Sequence, residues 1–159
     1  MPPAQHIDLS KIDLDKVLYD RDEILKCNPQ SFEMQQLDGI IWYDMDKRLC
    51  LGYKDVTEDE FWIRGHIPGR PLMPGVIMVE AAAQLASFMV KRLYKENENG
   101  FVGFAGIDKT KFRKPVEPGS RLYLSLYMKV HKRRKFTAAV HGIVDGVMVF
   151  DTEVSGLMV

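Results

Sequence analysis

The sequence predicts an α+β domain in which an antiparallel sheet curls around one long buried helix. Three observations carry this. The run Val76 to Val90 is apolar on every side except at Glu80, Gln84 and Ser87, and a helix of that kind is buried rather than laid on a surface. Strand-like runs fill most of the remaining chain. The pairs Pro118-Gly119 and Asp145-Gly146 punctuate the C-terminal runs, and Asp-Gly between apolar stretches signals a hairpin.

In chain order, residues 1–19 carry prolines and charges without a period and read as a loose variable leader; residues 20–159 read as a single domain. Asp20 to Lys26 suits a short helix gripped by Ile24 and Leu25, and Asn28-Pro29 ends it. Gly39 to Tyr43 has strand composition, Asp44 to Lys47 reads as a turn, and Leu49 to Val56 returns with Leu49, Leu51 and Tyr53 on one side. Glu60 to Ile63 reads as a short extended piece leading into a turn around His66. Pro74-Gly75 opens the long helix, which should run to about Lys95, because a proline is tolerated where the first N–H groups have no partner. Ala81-Ala82-Ala83 and Ala86-Ser87 let a sheet approach it closely. Glu96 to Gly100 forms the exit loop. Strands follow at 101–106, 111–116, 121–132, 135–144 and 147–158.

Bulk properties narrow the function. The chain has 159 residues and no formal net charge, so non-specific binding to nucleic acid or an anionic membrane is disfavoured. The longest apolar run, about 15 residues, falls short of the roughly 20 that a membrane span needs. Cys27 and Cys50 lack C-x-x-C partners, and Met1 to Ser10 has no signal-peptide pattern. A reducing, cytoplasmic setting is the expectation. The four histidines are scattered without metal-ligand spacing, and no Gly-Lys-Ser/Thr phosphate loop occurs.

The segment Gly65 to Glu80 carries the chemistry. It holds His66 in a turn stiffened by Gly65, Pro68 and Gly69, and places Glu80 on the apolar helix. A neutral imidazole accepts a proton near pH 7 without tuning. A carboxyl in low dielectric should hold its proton to higher pH and so act as an acid. The plain alternatives are a loop histidine bonded to a carbonyl, and a glutamate paired with Arg64 or Arg70. Gly75 sits at the positive end of the helix, where free N–H groups suit an oxyanion, or it is simply a turn glycine. Gln84, one turn beyond Glu80, is an auxiliary that orients Glu80 or bonds neighbouring backbone. Lys109, Lys111 and Arg113 alternate, which predicts one basic face; Lys129 to Lys135 forms a second basic cluster.

The run His66-x-Pro68-x-x-x-x-x-Pro74-Gly75, followed by Glu80-Ala81-x-Ala83-Gln84, resembles the active-site segment of the 3-hydroxyacyl-[acyl-carrier-protein] dehydratases of FabZ type, in the hotdog-fold FabA/FabZ family. The block Gly106 to Gly119 resembles that family's strand-and-turn segment, in the same order and spacing. The resemblance implies a hotdog fold and conversion of 3-hydroxyacyl thioesters to trans-2-enoyl thioesters in fatty acid biosynthesis. It implies His66 as base, Glu80 as acid, Gly75 at the thioester carbonyl, and no cofactor. It also implies an acidic acyl carrier protein as partner, docked on Lys109, Lys111 and Arg113, and a homodimer with shared sites, in some members a trimer of dimers. Two departures stand out. Glu33, Gln35 and Gln36 are more polar than the family's N-terminal segment, and Gly103 replaces a tyrosine that gates the site in some members. A hotdog acyl thioesterase and a non-catalytic acyl-binding subunit remain the rival readings.

Overall fold

A computed structural model describes residues 1–96 and 98–159; of the exit loop, Asn97 lies outside the described residues. Helix α1 (Arg21–Leu25) is followed by strands β1 (Gly39–Asp44) and β2 (Leu49–Asp55) and the central helix α2 (Gly75–Phe88). Strands β3 (Val102–Phe112), β4 (Arg121–Lys132), β5 (Lys135–Val144) and β6 (Val147–Met158) complete the chain. All pairings are antiparallel, in the order β1-β2-β4-β5-β6-β3.

Local chemistry explains the short elements. The Asp20 carboxylate caps α1 by accepting the Glu23 N–H at 3.0 Å. Asp145 and Gly146 both take positive φ, as a two-residue hairpin turn between right-twisted strands requires. Helix α2 is α-helical to Phe88 and continues as a π-turn over Met89–Leu93, so the helical rod stops just short of Lys95.

The sheet wraps this rod. Leu122, Leu124, Leu126 and Met128 of β4 alternate inward and are fully buried, meeting Ala82, Leu85 and Ala86 of the helix. Gly142 of β5 admits the ring of Phe150 from β6, since a Cβ there would lie 2.1 Å from a ring carbon.

Three expectations are corrected. The strands expected at 101–106 and 111–116 are one strand, β3, which stays paired to β6 across two irregularities. In the second of these, between Asp108 and Lys111, Lys109 sits at φ +50° as in a β-bulge. Val116 lies outside it, where its carbonyl accepts the Met73 N–H at 2.8 Å. Residues Glu60 to Ile63 form turns rather than an extended piece, because the Glu60 and Trp62 carbonyls take the N–H groups of Ile63 and His66.

The N-terminal residues do not run loose. Ile7 is buried with Ile41, Leu51 and Tyr53 on the sheet's outer face, and Leu9, Ile12 and Leu14 join them. This explains the apolar Leu49, Leu51 and Tyr53 stripe, which faces away from the helix. Beside this cluster His6 stacks on His141 of β5, with ring centroids 3.8 Å apart. Burial lowers both pKa values, that of His141 to about 4, helped by His6 itself. The folded chain therefore resists protonation that the unfolded chain accepts below about pH 6.5. Stability should be complete above pH 6.5 and fall by about 1–2 kcal/mol, after solvent screening, on the way to pH 4. Melting curves across that window check this. His141→Phe, which keeps a ring to stack on, should flatten the slope.

Candidate active site

The loop before α2 places the histidine. The Trp62 side chain is buried and anchors the turn, and the Trp62 carbonyl accepts the His66 N–H at 2.8 Å. The Leu72 N–H returns to the His66 carbonyl at 2.9 Å. The His66 ring then lies with Nδ1 2.8 Å from the Leu72 carbonyl oxygen. A carbonyl only accepts, so Nδ1 carries the hydrogen and Nε2 of the neutral ring keeps a free lone pair. The ring is exposed and lines an open cavity of about 550 Å³ together with Pro74, Gly75, Phe112, Arg113 and Lys114.

Gly75 begins α2 directly after Pro74, whose carbonyl receives Ile77 and Met78 N–H groups. The N–H groups of the first helical residues point away from the helix. The Phe112 ring packs so tightly here that a Cβ on residue 75 would lie 2.7 Å from it. Position 75 therefore presents bare backbone to the same cavity as His66.

Glu80 is half-buried and lines a different, smaller cavity of about 130 Å³. Its partner is neither Arg64 nor Arg70, both exposed in the loop, but Gln84, whose Nε2 donates to Glu80 Oε1 at 2.8 Å. Both auxiliary uses of Gln84 occur at once. Nε2 also donates to the Met34 carbonyl at 2.7 Å, while Oε1 accepts the Gln36 and Leu37 N–H groups at 2.8 and 3.2 Å. All four hydrogen-bonding sites of this buried amide are used.

This accounts for the polar segment 33–36. Gln35 donates to the Arg21 carbonyl and Gln36 to the Glu33 carbonyl, so these side chains tie an irregular strap to itself and to α1. Asn28, read from the sequence only as the end of the first helix, is buried and donates to the Gln84 carbonyl at 2.9 Å. Gln84→Leu should leave several buried backbone groups unpaired and cost about 2–4 kcal/mol in urea unfolding. Hydrogen exchange at residues 34–37 should rise in parallel.

Gly103 lines the Glu80 cavity, and a Cβ there would meet nothing closer than 3.4 Å. Space rather than backbone strain is what this glycine leaves.

The basic residues lie on an interrupted strand. Lys109 occupies the bulge and Arg113 lies past the end of β3, and these two reach Glu153 and Asp151, two residues apart on β6. Lys109 reaches Glu153 at 3.7 Å, joined there by Lys129 at 2.5 Å; these lysines hold the Glu153 carboxyl below the usual carboxylate range. Arg113 Nε pairs with Asp151 at 2.6 Å and also borders the His66 cavity.

Within one chain, then, His66 and Gly75 share a cavity, and Glu80 and Gln84 share another; the two pairs are not brought together.

A six-stranded antiparallel sheet rolled around one central helix, with a histidine in the turn before that helix and a carboxyl in its second turn, is a hotdog-fold architecture. Solved structures share it at low identity. The dehydratase heterocomplex ApeI:P from Xenorhabdus doucetiae aligns with a TM-score of 0.71 at 13% identity, over 86% of this chain and 90% of that one. Cj0977 from Campylobacter jejuni aligns with a TM-score of 0.65 at 16% identity, over 89% and 94%. Sequence comparison is more specific. The chain belongs to the FabA-like domain family, whose model matches residues 28–153, and within it to the FabZ-type hotdog dehydratases. It is 38% identical over 135 residues to the 3-hydroxyacyl-[acyl-carrier-protein] dehydratase FabZ of Geotalea uraniireducens, covering 84% of this chain and 92% of that relative. The FabZ of Agrobacterium fabrum is 36% identical over 138 residues, 86% and 88% of the two chains. No helix among the described residues is long and apolar enough to cross a membrane.

Proposed function

We propose that the chain removes water from a 3-hydroxyacyl thioester, carried on an acyl carrier protein, to give the trans-2-enoyl thioester. His66 Nε2 takes the proton from C2. The electron pair left behind forms the C2–C3 double bond, with charge gathering on the thioester oxygen, where the Gly75 N–H stabilises it. Glu80, protonated, gives its proton to the C3 hydroxyl, which leaves as water. Return of the proton from His66 to Glu80 through solvent resets the site. Gln84 is a positioning residue that holds Glu80 Oε1.

The observation that carries this reading is the locked Nδ1–H of His66 on the Leu72 carbonyl, which frees Nε2 as a base beside the bare backbone of Gly75.

The separation of His66 from Glu80 in one chain supports a homodimer in which each site takes a histidine from one copy and a glutamate from the other. Strand β3 supports the same assembly. It is the sheet's edge, with one side of its backbone unpaired, and it exposes Phe104, Ile107 and Phe112. Such an edge is normally covered. Two copies meeting along β3 would cover both edges. Carrier docking suits the mouth of the His66 cavity, where Arg113 and Lys114 form part of the lining and Arg64 and Arg70 flank His66 in the loop. Acidic carriers are steered by such a rim.

Incubation with a trans-2-enoyl thioester tests the reading. Loss of the conjugated absorbance by hydration, the reverse reaction, is expected. Release of free thiol without hydration would mark a thioesterase, and neither change would mark a binding subunit.

A further inference from the structure

The N-terminal leader is attached to the sheet by side chains rather than by backbone. Among the described residues, no hydrogen bond between backbones joins residues 1–17 to a strand; the first runs from the Leu18 N–H to the Ile40 carbonyl at 2.8 Å. Before that point the N–H groups of Lys11, Ile12 and Lys16 turn back to carbonyls of the leader itself. What holds the segment is the packing of Ile7, Leu9, Ile12 and Leu14 on the outer stripe, and the stack of His6 on His141. A segment with few buried contacts and no ladder hydrogen bonds can open locally while the rest of the fold persists.

The stack is where acid can act on this attachment. His141 is 3% exposed although it lies on the outer face of β5, and its cross-strand neighbour on β4, Ser125, is fully buried. The leader supplies that cover. The charged and titratable groups facing the two rings are mostly committed to other partners. Asp151, opposite His141 on β6, is held by Arg113, and Glu153 is held by Lys109 and Lys129. Tyr127 of β4 lies tilted against His6, and its hydroxyl accepts from Arg48. On the leader itself the nearest charge in sequence is Asp8, whose carboxylate accepts from Ser10. Burial and His6 together outweigh the pull of Asp151 on His141, and Arg113 adds to them. For His6, burial outweighs its contact with the Ser125 backbone. Two charged rings stacked 3.8 Å apart would moreover repel each other.

We propose that the leader is an acid-released strap: on mild acidification residues 1–17 lift from the sheet while the six strands and α2 stay folded, baring the stripe of Ile41, Leu51 and Tyr53. Lifting returns both rings to water, where each takes a proton at the ordinary imidazole pKa of about 6.5. Protons therefore favour the lifted state below that pH. One ring alone moves the release equilibrium by roughly 10–30-fold between about pH 7.5 and about pH 5.0. Neither His66 nor Glu80 takes part.

Hydroxyl-radical footprinting of the full chain reads side-chain exposure at about pH 7.5 and about pH 5.0 and tests the proposal. Oxidation of Ile7 and Tyr53 should rise about tenfold at the lower pH and fall back on neutralisation, while Leu124 and Leu126 in the core stay protected. Unchanged oxidation at Ile7 and Tyr53 overturns the proposal. So does a rise shared by Leu124 and Leu126, which marks global unfolding. The double variant His6→Phe with His141→Phe keeps two rings to stack and removes the titrating nitrogens; its labelling should not respond to pH. A response that persists there places the trigger elsewhere and also overturns the proposal. If the double variant does not fold, the comparison of the two pH values on the unaltered chain still decides.

Discussion

His66→Ala and Glu80→Gln are each expected to lower kcat/KM for hydration of a trans-2-enoyl thioester by roughly 10²–10⁴-fold, the range that one positioned acid or base supplies. Neither should disturb folding much. His66 is exposed, and the amide oxygen that Glu80→Gln introduces can still accept from Gln84. The sharper result comes from mixing. If each site takes its base from one copy and its acid from the other, a dimer holding one copy of each variant contains one site with both substitutions and one with neither. Unfolding and refolding the two inactive variants together should therefore restore a substantial fraction of activity. Mixtures that stay inactive although mixed dimers form would show that the two residues do not complement each other across copies. Full activity in either single variant would remove that residue from the mechanism.

Lys54→Met is expected to cost about 3–5 kcal/mol in stability, the range for breaking a buried ion pair from one side. Lys54 is only 4% exposed, and its Nζ lies 3.1 Å from Glu60 and 3.9 Å from Asp38. Asp38 has other support, from Arg21 and from the Asp55 N–H at 2.7 Å. Among the described residues Glu60 keeps only Thr57, whose N–H and hydroxyl both donate to Oε2 at 3.0 Å. Losing Lys54 therefore leaves the Glu60 carboxylate with no neutralising charge. Glu60 also starts the turns that lead to Trp62 and His66, so activity should fall with stability. Lys54→Met combined with Glu60→Gln should recover much of the loss, because removing both charges avoids a lone buried one. Urea unfolding of the single and double variants measures this. A single variant as stable as the parent would show the pair to be idle.

The resemblance at 66–84 and 106–119 was legible because each block lies in contiguous sequence. A helix start at Pro74-Gly75, a carboxyl on an apolar run and an Asp-Gly hairpin each follow from local backbone and burial rules, and each lies where those rules put it. The bulge at Lys109 was not legible. Alternation of lysine and arginine looks identical whether or not the strand slips by a residue, and pairing with β6 settles that. The same holds for Lys54, whose only signal is a lysine inside a strand. Its burial follows from the loop folded over it.

Local sequence was enough to specify the α+β architecture around one helix and the residue types available for acid–base work, because periodicity, turn chemistry and an isolated charge in an apolar run act over a few residues. Which groups meet was settled by folding. It fixed the His66 tautomer on the Leu72 carbonyl, tied Gln84 to a strap some fifty residues earlier, and separated His66 from Glu80 into two cavities. Those outcomes depend on contacts between distant segments, and hydrogen bonds between such segments leave no periodic trace in the chain.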